Sequence, residues 1–454
     1  MSDPHATLRF VGLDVHKRQI TFCILDPTGN VLQRGQFPTT RDAITAFAQS
    51  QLRPTDHVAL EATTNSWAVV DLLEPHLARV VVSNPLTTKA IASAKIKTDK
   101  IDARVLADLL RADYLPTVWQ PDQLTRQLRR LTSRRAGLCA DRTAVKNRLH
   151  ATLAMRLIVP PAGPDAKPLD LFSVKGLAWL RNAAASANSD PHLDDETRAA
   201  LASDLRLLDQ VQSELDALDN SLAQLAYQQD RVKLLMTLPG FDYTTAIGLL
   251  AAWGDISRFK DAAHATSYLG LAPSTRQSDT RCYHGPITKR GNSHARWLLV
   301  QAAQHCDKHP GPLGLFFRRL AKKKDRNVAV VACARKLALI AWHMLTHNEP
   351  YRYAVPAATS TKLSRLRIKA GGPKRKGGNP KGVKAVSRSP QGGRTRTIAA
   401  LPTVYQREAL PAMRPIKPAE QRVLDQNGLA DFVQNLQQPQ TVRRNLKTQP
   451  VTQD

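Results

Sequence analysis

FVGLDVHK, residues Phe10–Lys17, is the stretch on which the reading of the whole chain turns. Phe10, Val11 and Leu13 make a short apolar run of strand-forming character that ends by presenting a carboxylate, Asp14. An ionised carboxylate is not left alone in an apolar core, so an acid at the end of a buried strand faces either solvent or a cation.

Reading outward, Gln19 to Leu25 alternates as a second strand, Pro27 to Asn30 is turn-forming, and Val31 to Phe37 returns as a third strand. Arg41 to Gln51 has helical spacing, and His57 to Leu60 is a short strand running into Glu61. Ser66 to Leu77 reads as a helix capped by Ser66, Arg79 to Val82 as a buried strand, and Thr87 to Tyr114 as helical. The order βββαβαβα predicts an α/β domain on a mixed sheet over residues 1–118.

From Pro121 the character changes. Leu124, Leu128, Leu131, Leu138, Val145 and Leu149 approach a heptad, interleaved with arginines of which Arg129, Arg130, Arg134 and Arg135 are expected to bind nucleic acid. Prolines 160, 161, 164 and 168 end that helix, and a second leucine-spaced helix runs from about Asp194 to Val232. The pair reads as coiled-coil arms or as bundle helices, over 119–232. Residues 233–350 form a mainly helical domain. In it, Leu235 to Leu250 places Pro239-Gly240 between two helical segments, as in a helix-hairpin-helix or a plain αα-corner. Beyond Tyr351 the sequence is basic and poor in aromatics, so 351–454 is expected to be disordered until it meets a polyanion.

The chain has 65 Lys and Arg against 38 Asp and Glu in 454 residues, a formal charge of +27. The last 104 residues hold 20 basic and 5 acidic side chains, more than half of that excess. Such a balance implies a nucleic-acid partner. Five cysteines without CxxC spacing fit a reducing cytoplasm better than a disulfide or zinc framework. One further grouping, Cys282, His284, His305, Cys306 and His309, matches no common zinc spacing. No apolar run suits a membrane span or a signal peptide, so the expected place is the bacterial cytoplasm, on the nucleoid when DNA is bound.

Four acids stand where a catalytic sheet would show them: Asp14 and Glu61 at strand ends, and Asp99 and Asp102 one helical turn apart. Each has an ordinary reading as a wet or capping residue. Together they repel unless cations neutralise them, and two Mg²⁺ ions about 3.5–4 Å apart would do so while activating phosphodiester oxygens. Lys95, Lys97 and Lys100 are alternative neutralisers.

GLDVHK, ALEAT and KTDKIDA, followed by LPGF, YLGLAP, GPITKRGN and Arg296, resemble the DEDD transposases of insertion-sequence family 110 from about Leu8 to His347. The resemblance implies a ribonuclease H-like, RuvC-like first domain in which Asp14, Glu61, Asp99 and Asp102 bind Mg²⁺. It also implies a serine from the later transposase domain that attacks DNA, a homodimer or homotetramer, and guidance by a bridge RNA. The serine is expected after YLGLAP, where the family reads Ser-Gly and this chain reads Gln277-Ser278-Asp279. Ser274 and Ser293 compete with Ser278 for that role. Arg276, Arg281, Lys289, Arg290 and Arg296 are expected to hold nucleic acid beside it. Two other readings are a junction-resolving nuclease using metal-activated water and a non-catalytic nucleic-acid-binding scaffold.

Overall fold

The computed structural model describes residues 8–91, 99–162, 169–185, 192–278, 281–373 and 394–444. The chain divides into two compact units, Met1–Pro121 and Asp122–Asp454.

In the first unit β1 (Phe10–Val15), β2 (Gln19–Leu25), β3 (Val31–Pro38), β4 (His57–Glu61) and β5 (Arg79–Ser83) form one sheet in the order β3-β2-β1-β4-β5. The first three strands make an antiparallel meander, while β4 and β5 run parallel to β1. Four helices accompany them: α1 (Arg41–Gln51), α2 (Ser66–Leu73), α3 (Pro85–Ile91) and α4 (Asp99–Arg111). On one face of the sheet Val11, Leu13, Ile20, Phe22 and Leu60 pack with Ile44 and Phe47 of α1 and with Val69 and Leu73 of α2. On the other, Phe10, Cys23, Leu25 and Ala59 pack with Ala103, Leu106, Ala107 and Leu110 of α4. Because both faces are covered, β1 reads as a nearly continuous apolar run instead of an alternating one. The mixed sheet expected from the element order is present.

Two local expectations need correction. Ser66 is the first residue of α2, not its cap, which is Asn65. Its buried Oγ lies 2.9 Å from the Glu61 carbonyl and 3.0 Å from that of Thr63, so the hydroxyl fastens the end of β4 to the helix that follows. The helical stretch expected over Thr87–Tyr114 begins at Pro85 and ends at Arg111, in α3 and α4; residues 92–98, which carry Lys95 and Lys97, lie outside the described residues.

The second unit contains α5 (Gln123–Met155), α6 (Val174–Ala185), α7 (Asp195–Gln228), α8 (Asp230–Leu235), α9 (Tyr243–Trp253) and α10 (Ala262–Tyr268). A hairpin of β6 (Pro273–Ser278) and β7 (Arg281–Ile287) follows, then α11 (Ser293–Ala303), α12 (Pro312–Ala321), α13 (Arg326–His347) and α14 (Pro356–Lys369). Last come β8 (Arg394–Ile398), α15 (Leu401–Arg407), α16 (Pro418–Gln426), α17 (Ala430–Leu436) and β9 (Gln440–Arg444), with β8 and β9 paired antiparallel.

α5 and α7 lie antiparallel. Arg135 meets Asp219 at 2.6 Å, Arg142 meets Gln212 at 3.1 Å, Arg148 meets Asp204 at 2.8 Å, and Arg156 meets Asp194, one residue number rising as the other falls. At one end Val145, Leu149 and Leu153 join Leu201, Leu205 and Leu180 of α6 in a small core. At the other end Leu128, Leu222 and Ala226 merge into the main core of the unit. By length and apolarity α13 could cross a membrane. Its Val330, Cys333, Leu337 and Ala341 are buried in that core, so it is a core helix.

The expectation of a disordered tail from Tyr351 is overturned for most of its length. Tyr351, Leu363, Leu366, Leu401, Tyr405, Leu424 and Leu436 are all part of the main core. Arg367 and Glu408, both nearly dry, pair at 2.6 Å, and the Tyr405 hydroxyl donates to the Tyr351 carbonyl at 2.6 Å. Composition misled here because the few apolar residues are spaced to fall on buried helix faces. Residues 374–393 and 445–454 lie outside the described residues.

Two substitutions test these contacts. A Cβ added at Gly12 would overlap the Ala103 carbonyl and lie 2.8 Å from the Ala107 amide nitrogen. Gly12→Ala is therefore expected to cost about 1–3 kcal/mol of stability in denaturant titration, as overpacking does. Tyr405→Ala, which empties a fully buried site, should cost about 3–5 kcal/mol on the same assay. A disordered tail would give no loss.

Candidate active site

The acids of the first unit are brought to one edge by strand register. Leu13 of β1 faces Leu60 of β4 across the parallel ladder, so Asp14 and Glu61, the next residue on each, stand side by side on the same face. That face is the one α4 covers, since it also carries Phe10 and Ala59.

The direction of α4 then places the other two acids. Arg111, its last residue, reaches the Pro27 carbonyl at 3.4 Å, in the turn beyond Leu25, and Leu25 pairs with Phe10 at the start of β1. The helix therefore runs antiparallel to β1, and its first turn, with Asp99 and Asp102, lies toward the end of the strand where Asp14 stands. The backbone thus carries Asp14, Glu61 and the first turn of α4 toward one edge.

Asp14 is half-buried, and its carboxylate lies 3.0 Å from Nε2 of His16. Beside Glu61 in register is Ser83, the last residue of β5. Its fully buried Oγ has no hydrogen-bond partner, and neither has Oγ1 of Thr88 in α3. A buried hydroxyl without a partner, in register with a carboxylate, is unusual, because buried polar atoms normally find partners. Among the described residues no three His, Cys, Asp or Glu side chains form a metal-holding group. What fits a hard divalent cation is the donor set itself, carboxylate oxygens with a hydroxyl in register and neither thiolate nor a clustered imidazole set. Ser83 was not singled out from the sequence, and its signal would have been a hydroxyl ending a Val-rich strand in line with Glu61.

The second unit presents its candidates on the β6–β7 hairpin, a strand pair where a loop was expected. In the backbone register Ser278 pairs with Arg281 at its tip, and Arg276 pairs with Tyr283. Asp279 lies outside the described residues. Ser274 Oγ donates to the Pro286 carbonyl at 3.0 Å, and Ser293 merely begins α11, whose cap is Asn292. Lys289 and Arg290 follow the end of β7 at the hairpin base, about five strand residues from Ser278, or roughly 17 Å. There Gly291, at φ +130°, lies so close to the Tyr268 carbonyl that any Cβ would overlap it, and Arg296 donates to the Leu269 carbonyl at 3.0 Å. The YLGLAP and GPITKRGN motifs are thus joined backbone to backbone. The exposed Tyr283, paired with Arg276, was not foreseen.

Three of the four arginines expected to bind nucleic acid from the first arm are engaged inside the unit. Arg129 donates to the carbonyls of Ala251 and Ala252 at the end of α9, Arg135 pairs with Asp219, and Arg134 reaches Glu214 at 3.4 Å. Arg130 is exposed. The cause is complementary charge, acids on α7 and the negative end of a helix facing α5. The zinc grouping is not assembled either: Cys306 is buried against the Cys333 thiol, which with burial pushes its own thiol up, while Cys282 is exposed on the hairpin.

Comparison with known proteins decides the family. A transposase model of the DEDD, IS110 type matches residues 11–156, and the model "Transposase IS116/IS110/IS902 family" matches residues 232–315. The chain is an IS110-family transposase. Among its relatives, the insertion element IS116 uncharacterized 44.8 kDa protein of Streptomyces clavuligerus is 28% identical over 409 residues, covering 78% of this chain and 99% of that one. The pilin gene-inverting protein of Moraxella lacunata is 26% identical over 360 residues, covering 75% and 97%. The transposase for insertion sequence element IS1111A of Coxiella burnetii is 30% identical over 138 residues, covering 30% and 38%. The two models bracket the two places where the transposase carries its candidate residues.

A divalent cation held at the carboxylate edge, such as Mg²⁺, would be visible without any reaction. At a hundred times its dissociation constant, the ion should stabilise the full-length transposase by about 2.7 kcal/mol, seen as a higher melting temperature in calorimetry. The shift should vanish in Asp14→Asn and Asp102→Asn; an equal shift in those variants would place the ion elsewhere.

Proposed function

We propose that this transposase cleaves and rejoins DNA strands with a composite site. Asp14, Glu61, Asp99 and Asp102 would hold two Mg²⁺ ions, and Ser278 would be the nucleophile. The observation that carries this reading is the gathering of Asp14, Glu61 and the first turn of α4 on one edge of the first sheet. The strand order β3-β2-β1-β4-β5 supports a ribonuclease H-like, RuvC-like reading of that unit.

The bound cations would supply charge to polarise the phosphodiester and ease loss of the serine proton. The remaining chemistry belongs to the chain. An Oγ–P bond forms at Ser278 as one P–O bond of the DNA backbone breaks, and the serine proton passes to the leaving oxygen. Because a phosphodiester replaces a phosphodiester, a strand hydroxyl can reverse the step and no external energy is needed. Arg276 and Arg281, on the same hairpin as Ser278, would offset charge on the phosphoryl oxygens. Lys289 and Arg290 would meet the backbone farther along. The finer partners in this reading are donor and target DNA, a structured bridge RNA, and a second copy or a tetramer of the chain. The four acids belong to one compact unit and Ser278 to the other.

Ser278→Ala and Asp14→Asn are each expected to lower strand exchange by more than about a thousandfold, with nucleic-acid binding retained. Denaturing gels of the active protein should show a covalent protein–DNA adduct that Ser278→Ala lacks. Normal exchange by Ser278→Ala would remove the serine from the mechanism. Hydrolysed ends without any adduct would favour the junction-resolving nuclease with water as nucleophile.

A further inference from the structure

Below the turn that joins α8 to α9 lies a cavity of about 220 Å³ whose walls come from three separate stretches. Pro239 and Gly240 form one wall, His305, Lys308 and His309 a second, and Lys362 of α14 a third. No Asp or Glu is among the described residues that line it. Its lining includes none of the first unit's carboxylates and no residue of the β6–β7 hairpin, and its third wall is outside both stretches matched by the family models.

The cavity is a built feature. Gly240 adopts φ +73° and sits directly against the Ala302 backbone, so the turn is fixed on α11. Thr237, fully buried beneath it, donates to the Leu234 carbonyl at 2.7 Å and accepts the Tyr351 amide at 3.0 Å. That second bond ties the turn to the segment leading into α14. Lys362 then reaches back, its Nζ donating to the Leu238 carbonyl at 2.6 Å.

The cations here are incompletely compensated. Lys362 spends one of its three N–H donors on Leu238, and the acid acting on it, Asp242, already accepts from the Thr245 amide and the Thr244 hydroxyl at the cap of α9. Burial draws the Lys362 ammonium down to about 8, which leaves it charged at neutral pH but poorly solvated. His309 is buried and held down to about 4, chiefly by desolvation and then by Lys362, so its ring is neutral. Its Nδ1 accepts the Gly311 amide at 3.1 Å, which puts the proton on Nε2. That nitrogen has no partner of bonding geometry among the described residues. Lys308 is exposed at the rim.

We infer that this cavity holds a backbone phosphate of bound nucleic acid, with Lys308 and Lys362 as its charged contacts and the Pro239-Gly240 turn as its floor. An oxyanion complements what the cavity offers: a lysine with donors to spare, a rim ammonium and no competing carboxylate in the walls. A phosphodiester is the oxyanion that a protein of net charge +27 acting on DNA meets most often.

The test is binding of full-length transposase to a short DNA duplex of arbitrary sequence and, separately, to a single-stranded RNA of equal length, across a salt series. Lys308→Gln should reduce the steepness of log K against log salt by about 0.9 on the duplex or about 0.7 on the single strand. Lys362→Gln should do the same and the double variant about twice as much, while Lys308→Arg keeps the wild-type slope. A change confined to one probe identifies whether DNA or RNA supplies the phosphate. Unchanged slopes on both probes for Lys308→Gln, whose exposed side chain leaves folding intact, would overturn the inference. Asp14→Asn should leave every slope as in wild type, so failure of the catalytic reading would not register in this assay.

Discussion

The carboxylate edge depends on how closely a helix can lie on a strand. α4 rests on β1 at Gly12, where the Ala103 carbonyl and Ala107 amide occupy the space a side chain would need. Ala59 on the neighbouring strand and Ala103 and Ala107 on the helix keep the same gap narrow. With larger residues there, the helix would ride higher and its first turn would move away from Asp14 and Glu61. The Gly of GLDVHK and the Ala of ALEAT and KTDKIDA thus act on the site through distance alone. Carboxylates can share a cation only if the backbones that carry them are held this near.

That constraint also explains which parts of the chain were legible. That Asp14 and Glu61 stand at strand ends and that Asp99 and Asp102 share a helical turn could be read from sequence, because a strand end and a helical turn each place a residue through a short-range rule. The sheet followed from period-two runs broken by turn residues. Ser83 could not be found this way, since its nearness to Glu61 arises from pairing between strands 22 residues apart and its significance from a missing partner. The same holds for Ser278. Its motif was visible, but the register that pairs Ser278 with Arg281 and Arg276 with Tyr283, and leaves Lys289 and Arg290 at the hairpin base, belongs to the folded hairpin.

Net charge proved a poorer guide than its size suggested. Arginines spaced along α5 read as a nucleic-acid stripe, yet Arg129, Arg135, Arg142, Arg148 and Arg156 all bond to groups within the second unit. Beyond Tyr351, Arg367 is buried with Glu408, and Arg352 holds Glu349 at 2.6 Å and Glu420 at 2.8 Å. A cation paired in this way contributes little to attraction at a distance. The residues that matter for binding are those whose charge is not answered nearby.

Such unanswered charge is informative because it is costly. A buried or half-buried cation without a carboxylate partner lowers stability, and a chain under selection for folding alone would replace Lys362 with an apolar residue of similar length. Its ammonium instead reaches a backbone carbonyl at the rim of a cavity free of acids among its described walls. The reasoning for the first unit is parallel, with sign reversed: acids gathered on one edge lower stability until a cation arrives. Both places depart from the pairing that governs the α5–α7 arm, where Arg129, Arg135, Arg142, Arg148 and Arg156 each meet an acceptor. On the proposed reading, local charge imbalance of either sign marks where the missing partner comes from outside the chain.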